Sequence, residues 1–138
     1  MKKLLIAALL ASSFTATAYA RDPFIGDYGG DCNDKNGQCW IEIDKKAGNK
    51  YEVTFVAADR FNSLDIICKI SGEFERGPIN YDVHQSYDDG ISGSLQNGYF
   101  FIVTRDDGYI DVGGGLGDGF ACQNDKYLIQ GMYQAYGH

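Results

Sequence analysis

The chain has 138 residues, nineteen acidic and twelve basic, and a formal net charge of −7 at pH 7. That length predicts one domain around one modest core. The acidic balance argues against nucleic acid or an anionic membrane as partner and favours a basic one, because surface charge steers association.

The first twenty residues read MKKLLIAALLASSFTATAYA. Lys2 and Lys3 make a basic start, residues 4–10 are apolar, and Ala18-Tyr19-Ala20 has the small-x-small form of a cleavage site. This predicts a secretory signal over residues 1–20. The apolar run falls short of the roughly 20 residues that cross a bilayer. Residue 21 is Arg, which offers no thiol for a lipid. The expectation is a periplasmic chain, residues 21–138, that is not inserted in the membrane. Ten basic and nineteen acidic residues give that chain a net charge of −9.

Short alternating runs then follow one another. FIGDYGGDC predicts a first strand ending in a Gly-rich bend. CWIEIDKK and KYEVTFVAAD alternate apolar and polar residues around a KAGN turn. ADRFNSLDIIC has room for a helical turn. DIICKISGEFE is the next apolar run, broken at Ser71-Gly72. YFFIVTRDDGYIDVGGG predicts two strands about an Asp106-Asp107-Gly108 turn, and KYLIQGMYQAYGH closes the chain. Runs of four to eight residues rich in aromatic and β-branched types, bounded by Gly, Asn and Asp, are strand signals. The fold class is all-β: a small antiparallel barrel or sandwich of six to eight strands.

Cys32, Cys39, Cys68 and Cys122 are the four cysteines. An even count in an exported chain points to disulfides. No C-x-x-C pair occurs and there are only two histidines, so a zinc site is not expected. Of three pairings, Cys32–Cys39 with Cys68–Cys122 is preferred, since a turn at residues 34–37 sets Cys32 opposite Cys39. Trp40 is expected to pack on that first bridge.

Motifs for catalysis or cofactors are weak. VGGGLGDGF is Gly-rich like a phosphate loop, but no helix pattern follows, and a bulge explains it better. The Asp clusters do not fit a calcium loop; Lys35 stands where a ligand counted from Asp31 belongs. GISGS misses the nucleophile-elbow pattern because Ser94 occupies its last glycine position. His84 sits among polar residues and reads as an exposed histidine rather than a base. No metal or cofactor is expected, and an enzyme is not the leading reading.

Residues 90–103, GISGSLQNGYFFIV, pass from small and polar to apolar. The plain reading is a β-hairpin. Ser92, Gly93, Ser94 and, at altered spacing, Tyr99 resemble the loop of the periplasmic and membrane-bound inhibitors of c-type lysozyme. In that family a small β-barrel carries a Ser-Gly-rich loop, ending in a basic residue and Tyr, that enters the lysozyme cleft. The basic residue is missing here: Gln96, Asn97 and Gly98 precede Tyr99. The resemblance implies an inhibitor that occludes the cleft of a peptidoglycan hydrolase. Its contact residues would be Ser92, Gly93, Ser94, Gln96, Asn97 and Tyr99, with Asp88 and Asp89 pairing with a basic partner such as lysozyme. A homodimer is compatible with this reading. The alternative is a non-catalytic envelope-maintenance module that binds peptidoglycan or an envelope protein.

Overall fold

The computed structural model describes residues 22–32, 37–96, 98–116 and 127–136. The predicted signal at 1–20 and the glycines and loop at 117–126 lie outside them, as do Asn97 and Cys122.

Alternation of apolar and polar residues puts one set of side chains on each face of a strand. With both ends of the sheet joined, the apolar set is enclosed. The strands are β1 (Gly26–Gly30), β2 (Gly37–Lys45), β3 (Lys50–Asp59), β4 (Asn62–Asn80), β5 (Ser86–Leu95), β6 (Gly98–Thr104), β7 (Tyr109–Leu116) and β8 (Gly131–Ala135). Each pairs antiparallel with the next, and β1 pairs with β8, so the sheet is a closed up-and-down barrel rather than a sandwich. Closure removes the exposed sheet edges that invite aggregation. The glycines of FIGDYGG do not bend the chain: Gly29 and Gly30 are paired residues of β1, while the expected Asp106-Asp107-Gly108 turn is present as a single 3-10 turn. Positive φ at Gly114 and Gly115 and a register shift opposite Tyr99 and Phe100 put a bulge in β7, as the glycine run predicted.

The lumen is filled by side chains. Phe24, Tyr51, Phe55, Phe74, Phe100 and Tyr133 are each under 2% exposed, with Ile41, Ile43, Ile91, Leu95 and Ile102 between them. An eight-stranded barrel is just wide enough for such filling. Asp27, Glu42, Asp44 and Glu52 share the outer face of β1–β3. Apolar inside and charged outside is the reverse of a lipid-spanning barrel.

Three further expectations need correction. Ser71-Gly72 does not break its strand: β4 runs unbroken through nineteen residues. Gly72 is needed there for close approach, because a Cβ would collide with the carbonyl oxygen of Ser94 on β5. The ADRFNSLDIIC window holds no helical turn; it is the tip of the β3–β4 hairpin. Trp40 does not pack on the first bridge. Cys39 faces the lumen, so its neighbour faces out, where the indole Nε1 donates to Glu42 Oε2 at 2.7 Å. One disulfide, Cys32–Cys39, is described instead of two, with Cα atoms 5.5 Å apart. Cys68 is not a free thiol, but its expected partner Cys122 lies outside the described residues.

The antiparallel order gives the barrel two ends. The mouth holds the N-terminal segment and the connections at 46–49, 81–85 and 105–108. The far end holds the turn at 60–61 and Gln96, which follows β5. Asp22–Phe24 fold into the mouth. Phe24 meets Tyr51 edge-on at 5.9 Å, and the Arg76 guanidinium lies 5.1 Å from its ring centre. Tyr51 OH donates to Asp22 Oδ2 at 2.5 Å, and Arg76 donates twice to Asp89, at 3.0 and 2.8 Å.

Candidate binding surface

The β3–β4 hairpin projects from the far end as an arm. Ala57 pairs with Cys68, Ala58 with Ile66 and Asp59 with Asn62, so β4 spends six residues where β3 spends two. The surplus residues swing off the barrel. Two short Asx turns hold the tip: Asp59 Oδ1 accepts from the Phe61 N–H at 2.9 Å and Asn62 Oδ1 from the Leu64 N–H at 3.1 Å. Gln38 Nε2 donates to the Asp59 carbonyl at 2.9 Å and ties the arm to β2.

The arm carries apolar side chains into water. Phe61 is 91% exposed, Leu64 89%, Ile66 46% and Ile67 48%. Single exposed hydrophobes are ordinary, but four within seven residues are a concentration that marks a candidate contact surface. Sequence reading missed this surface. The available signal was the placement of Phe61 and Leu64 beside Asp59, Asn62 and Asp65, because apolar residues inside a turn-rich window have no lumen to enter.

The candidate residues from the sequence are divided between the two ends. Ser92, Gly93 and Ser94 lie within β5 and Tyr99 within β6, consecutive antiparallel strands; Gln96 between them has φ +55°, and Asn97 lies outside the described residues. The stretch is thus two paired strands with a tight turn, not a long loop. Ser94 faces Tyr99 across the ladder, and Tyr99 is 43% exposed. Gly93 faces inward, and a Cβ there would meet the Glu73 carbonyl oxygen. Ser94, Gln96 and Tyr99 therefore share the far end with the arm. Asp88 and Asp89 stand at the mouth instead, where Arg76 already holds Asp89. His84 is an exposed loop residue whose backbone N–H bonds to Asp82.

Charge on the outer wall is uneven. Asp27 faces Glu42, and Asp44 faces Glu52, across adjacent strands. Partial burial, then repulsion from Glu42 and Asp44, raises the Asp27 carboxyl above its usual range. Lys46 and Lys50 both pair with Glu73, at 3.2 and 3.6 Å, which neutralises one end of this face. At the mouth, burial raises Asp22, but hydrogen bonds from Tyr51, the Phe24 N–H and Lys45 outweigh it and leave the carboxyl lowered. Arg76 lowers Asp89 through its hydrogen bonds, against a smaller opposing effect of burial.

The lumen is packed with side chains, and among the described residues Phe61 and Leu64 on the arm are two of the most exposed large hydrophobes. Comparison with known protein families, curated proteins and solved structures returns no match to this chain.

Proposed function

We propose that this protein is an exported, periplasmic binding protein that occludes the cleft of a peptidoglycan hydrolase, with c-type lysozyme as the partner. The observation that carries the reading is the arm: a hairpin tip held by Asx turns that presents Phe61 and Leu64 almost fully to solvent. A convex apolar tip fits a concave cleft. Each such side chain gains about 1.5–3 kcal/mol when removed from water. A tip already ordered in the free protein loses little entropy on docking.

Two further features support it. Tyr99 and Gln96, which the resemblance places in the contact, stand at the same end as the arm. The acidic outer face, where Asp27 is already strained by its neighbours, attracts a basic enzyme and speeds encounter. Asp88 and Asp89 contribute to this long-range field from the mouth rather than to the contact itself.

The test is lysis of a cell-wall suspension by c-type lysozyme with excess oxidised protein. Inhibition is expected at low salt, where charge attraction is least screened. Phe61→Ser with Leu64→Ser is expected to weaken it by a factor on the order of 100, as loss of two central apolar contacts does at an interface. Tyr99→Ala has a smaller effect of the same sign. Unchanged lysis at stoichiometric excess overturns the reading.

A further inference from the structure

The outer wall near the mouth carries a second apolar surface, separate from the arm. Phe101 on β6 points away from the lumen yet is only 2% exposed. Tyr81 and Tyr87 cover it, with ring centres 5.4 and 5.8 Å from its own. Gly113 on β7 lies opposite, where a Cβ would strike the Phe101 ring. Ile79 and Val103 complete a cluster distinct from the lumen core. Packed on these sides, Phe101 fixes the Tyr87 ring from behind. Tyr87 itself remains 38% exposed.

A cavity of about 390 Å³ opens beside that ring, lined by Tyr87, Val103, Thr104, Arg105, Asp106 and Asp111. Its size lies within the range of small-ligand sites. Arg105 Nη1 donates to Asp111 Oδ2 at 2.8 Å. A guanidinium has five N–H donors and a carboxylate two acceptor oxygens, so the pair keeps both kinds of capacity beyond this bond. Asp106 and Thr104 add an acceptor and a hydroxyl. Two carboxylates against one guanidinium leave no surplus positive charge, which disfavours phosphate and carboxylate ligands. The remaining chemistry is an aromatic face packed on Phe101 and flanked by donors and acceptors, of which Arg105 and Asp111 are held by their mutual hydrogen bond. It matches a ligand with one C–H face and a fringe of hydroxyls, which describes a pyranose ring.

We propose that this outer pocket binds a neutral sugar, with the sugar ring laid on Tyr87 and its hydroxyls held by Arg105 and Asp111. The site is near the mouth and the arm is at the far end, so it does not depend on the hydrolase reading.

Binding is tested by titrating the folded protein, followed by amide chemical shifts, with two neutral probes: tetra-N-acetylchitotetraose and cellotetraose. Saturable shifts are expected at residues 103–111 with at least one probe. Tyr87→Ala and Arg105→Ala are each expected to weaken binding about tenfold, the loss of one good contact. Tyr87→Phe keeps the ring and the affinity. Phe61→Ser with Leu64→Ser leaves sugar binding unchanged, which separates this site from the arm. Arg105 is a surface side chain, 54% exposed, so its variant decides the matter even where Tyr87→Ala disturbs packing. No shifts with either probe, or full affinity in Arg105→Ala, overturns the proposal.

Discussion

At the residue scale, single positions are set by what faces them across the ladder. Gly72 and Gly93 let β4 and β5 come close enough that a methyl group on either would meet backbone rather than a movable side chain. Backbone cannot give way cheaply inside a closed sheet. Gly72→Ala is therefore expected to destabilise the fold by about 3 kcal/mol, at the upper end of overpacking effects, and urea unfolding measures it. A midpoint unchanged from the parent chain would contradict the close approach. Asp27 shows the electrostatic side of the same rule. Its carboxyl is raised, so ionising it costs more in the folded chain than in the unfolded one, and the cost is present at neutral pH. Asp27→Asn removes that cost, and a small rise in Tm at pH 7 that vanishes in acid is the expected result. The alternation that placed Phe55 and Phe100 in the lumen was plain in the sequence. Phe101, next to Phe100 in the same apolar run, is buried too, but on the outside of the barrel. Alternation tells which residues share a face, and only the neighbouring strands tell what covers it.

At the element scale, the mouth and the arm behave oppositely. The mouth is a network of Asp22, Lys45, Tyr51, Arg76 and Asp89 around the Phe24 ring. Both carboxyls are lowered in the folded state. A lowered carboxylate pKa contributes stability above the unfolded value near pH 4, and that contribution is lost as pH falls through the folded value. Thermal unfolding between pH 7 and pH 2 should show this loss, and Asp22→Asn should lower Tm at pH 7 while flattening its decline in acid. An equal decline in the variant would remove Asp22 from the account. The tip of the arm contributes little to stability, because Phe61 and Leu64 bury almost nothing in the free protein. The sequence reading allowed a helical turn here, as FNSLDII has neither strand alternation nor a strong breaker. The hairpin forms because β3 and β4 are already paired below it and because Asp59 and Asn62 accept the backbone N–H groups of the turn.

At the scale of the whole molecule, one packed lumen holds eight strands, and the Cys32–Cys39 bridge closes a small loop beside it. Replacing both cysteines by serine is expected to cost about 2–3 kcal/mol, from the freedom returned to the unfolded chain. Barrel closure fills the lumen and leaves exposed apolar side chains on the outside, at the β3–β4 tip and beside Tyr87. The residues that resemble an inhibitor loop turn out to be strand residues around a tight turn. Their contribution to any contact therefore comes from Gln96 and Tyr99 at the tip, with the longer arm beside them.

The all-β class, a count of six to eight strands, the acidic character and the preferred Cys32–Cys39 pairing were all within reach of the sequence by itself. They follow from local alternation, turn chemistry, charge count and short cysteine spacing, which act over a few residues. Barrel closure, the outward face of Trp40, the extension of β4 into an arm and the Tyr87 pocket were decided only by tertiary structure. Each depends on register between strands distant in sequence, and a shift of one residue would send every affected side chain to the other face.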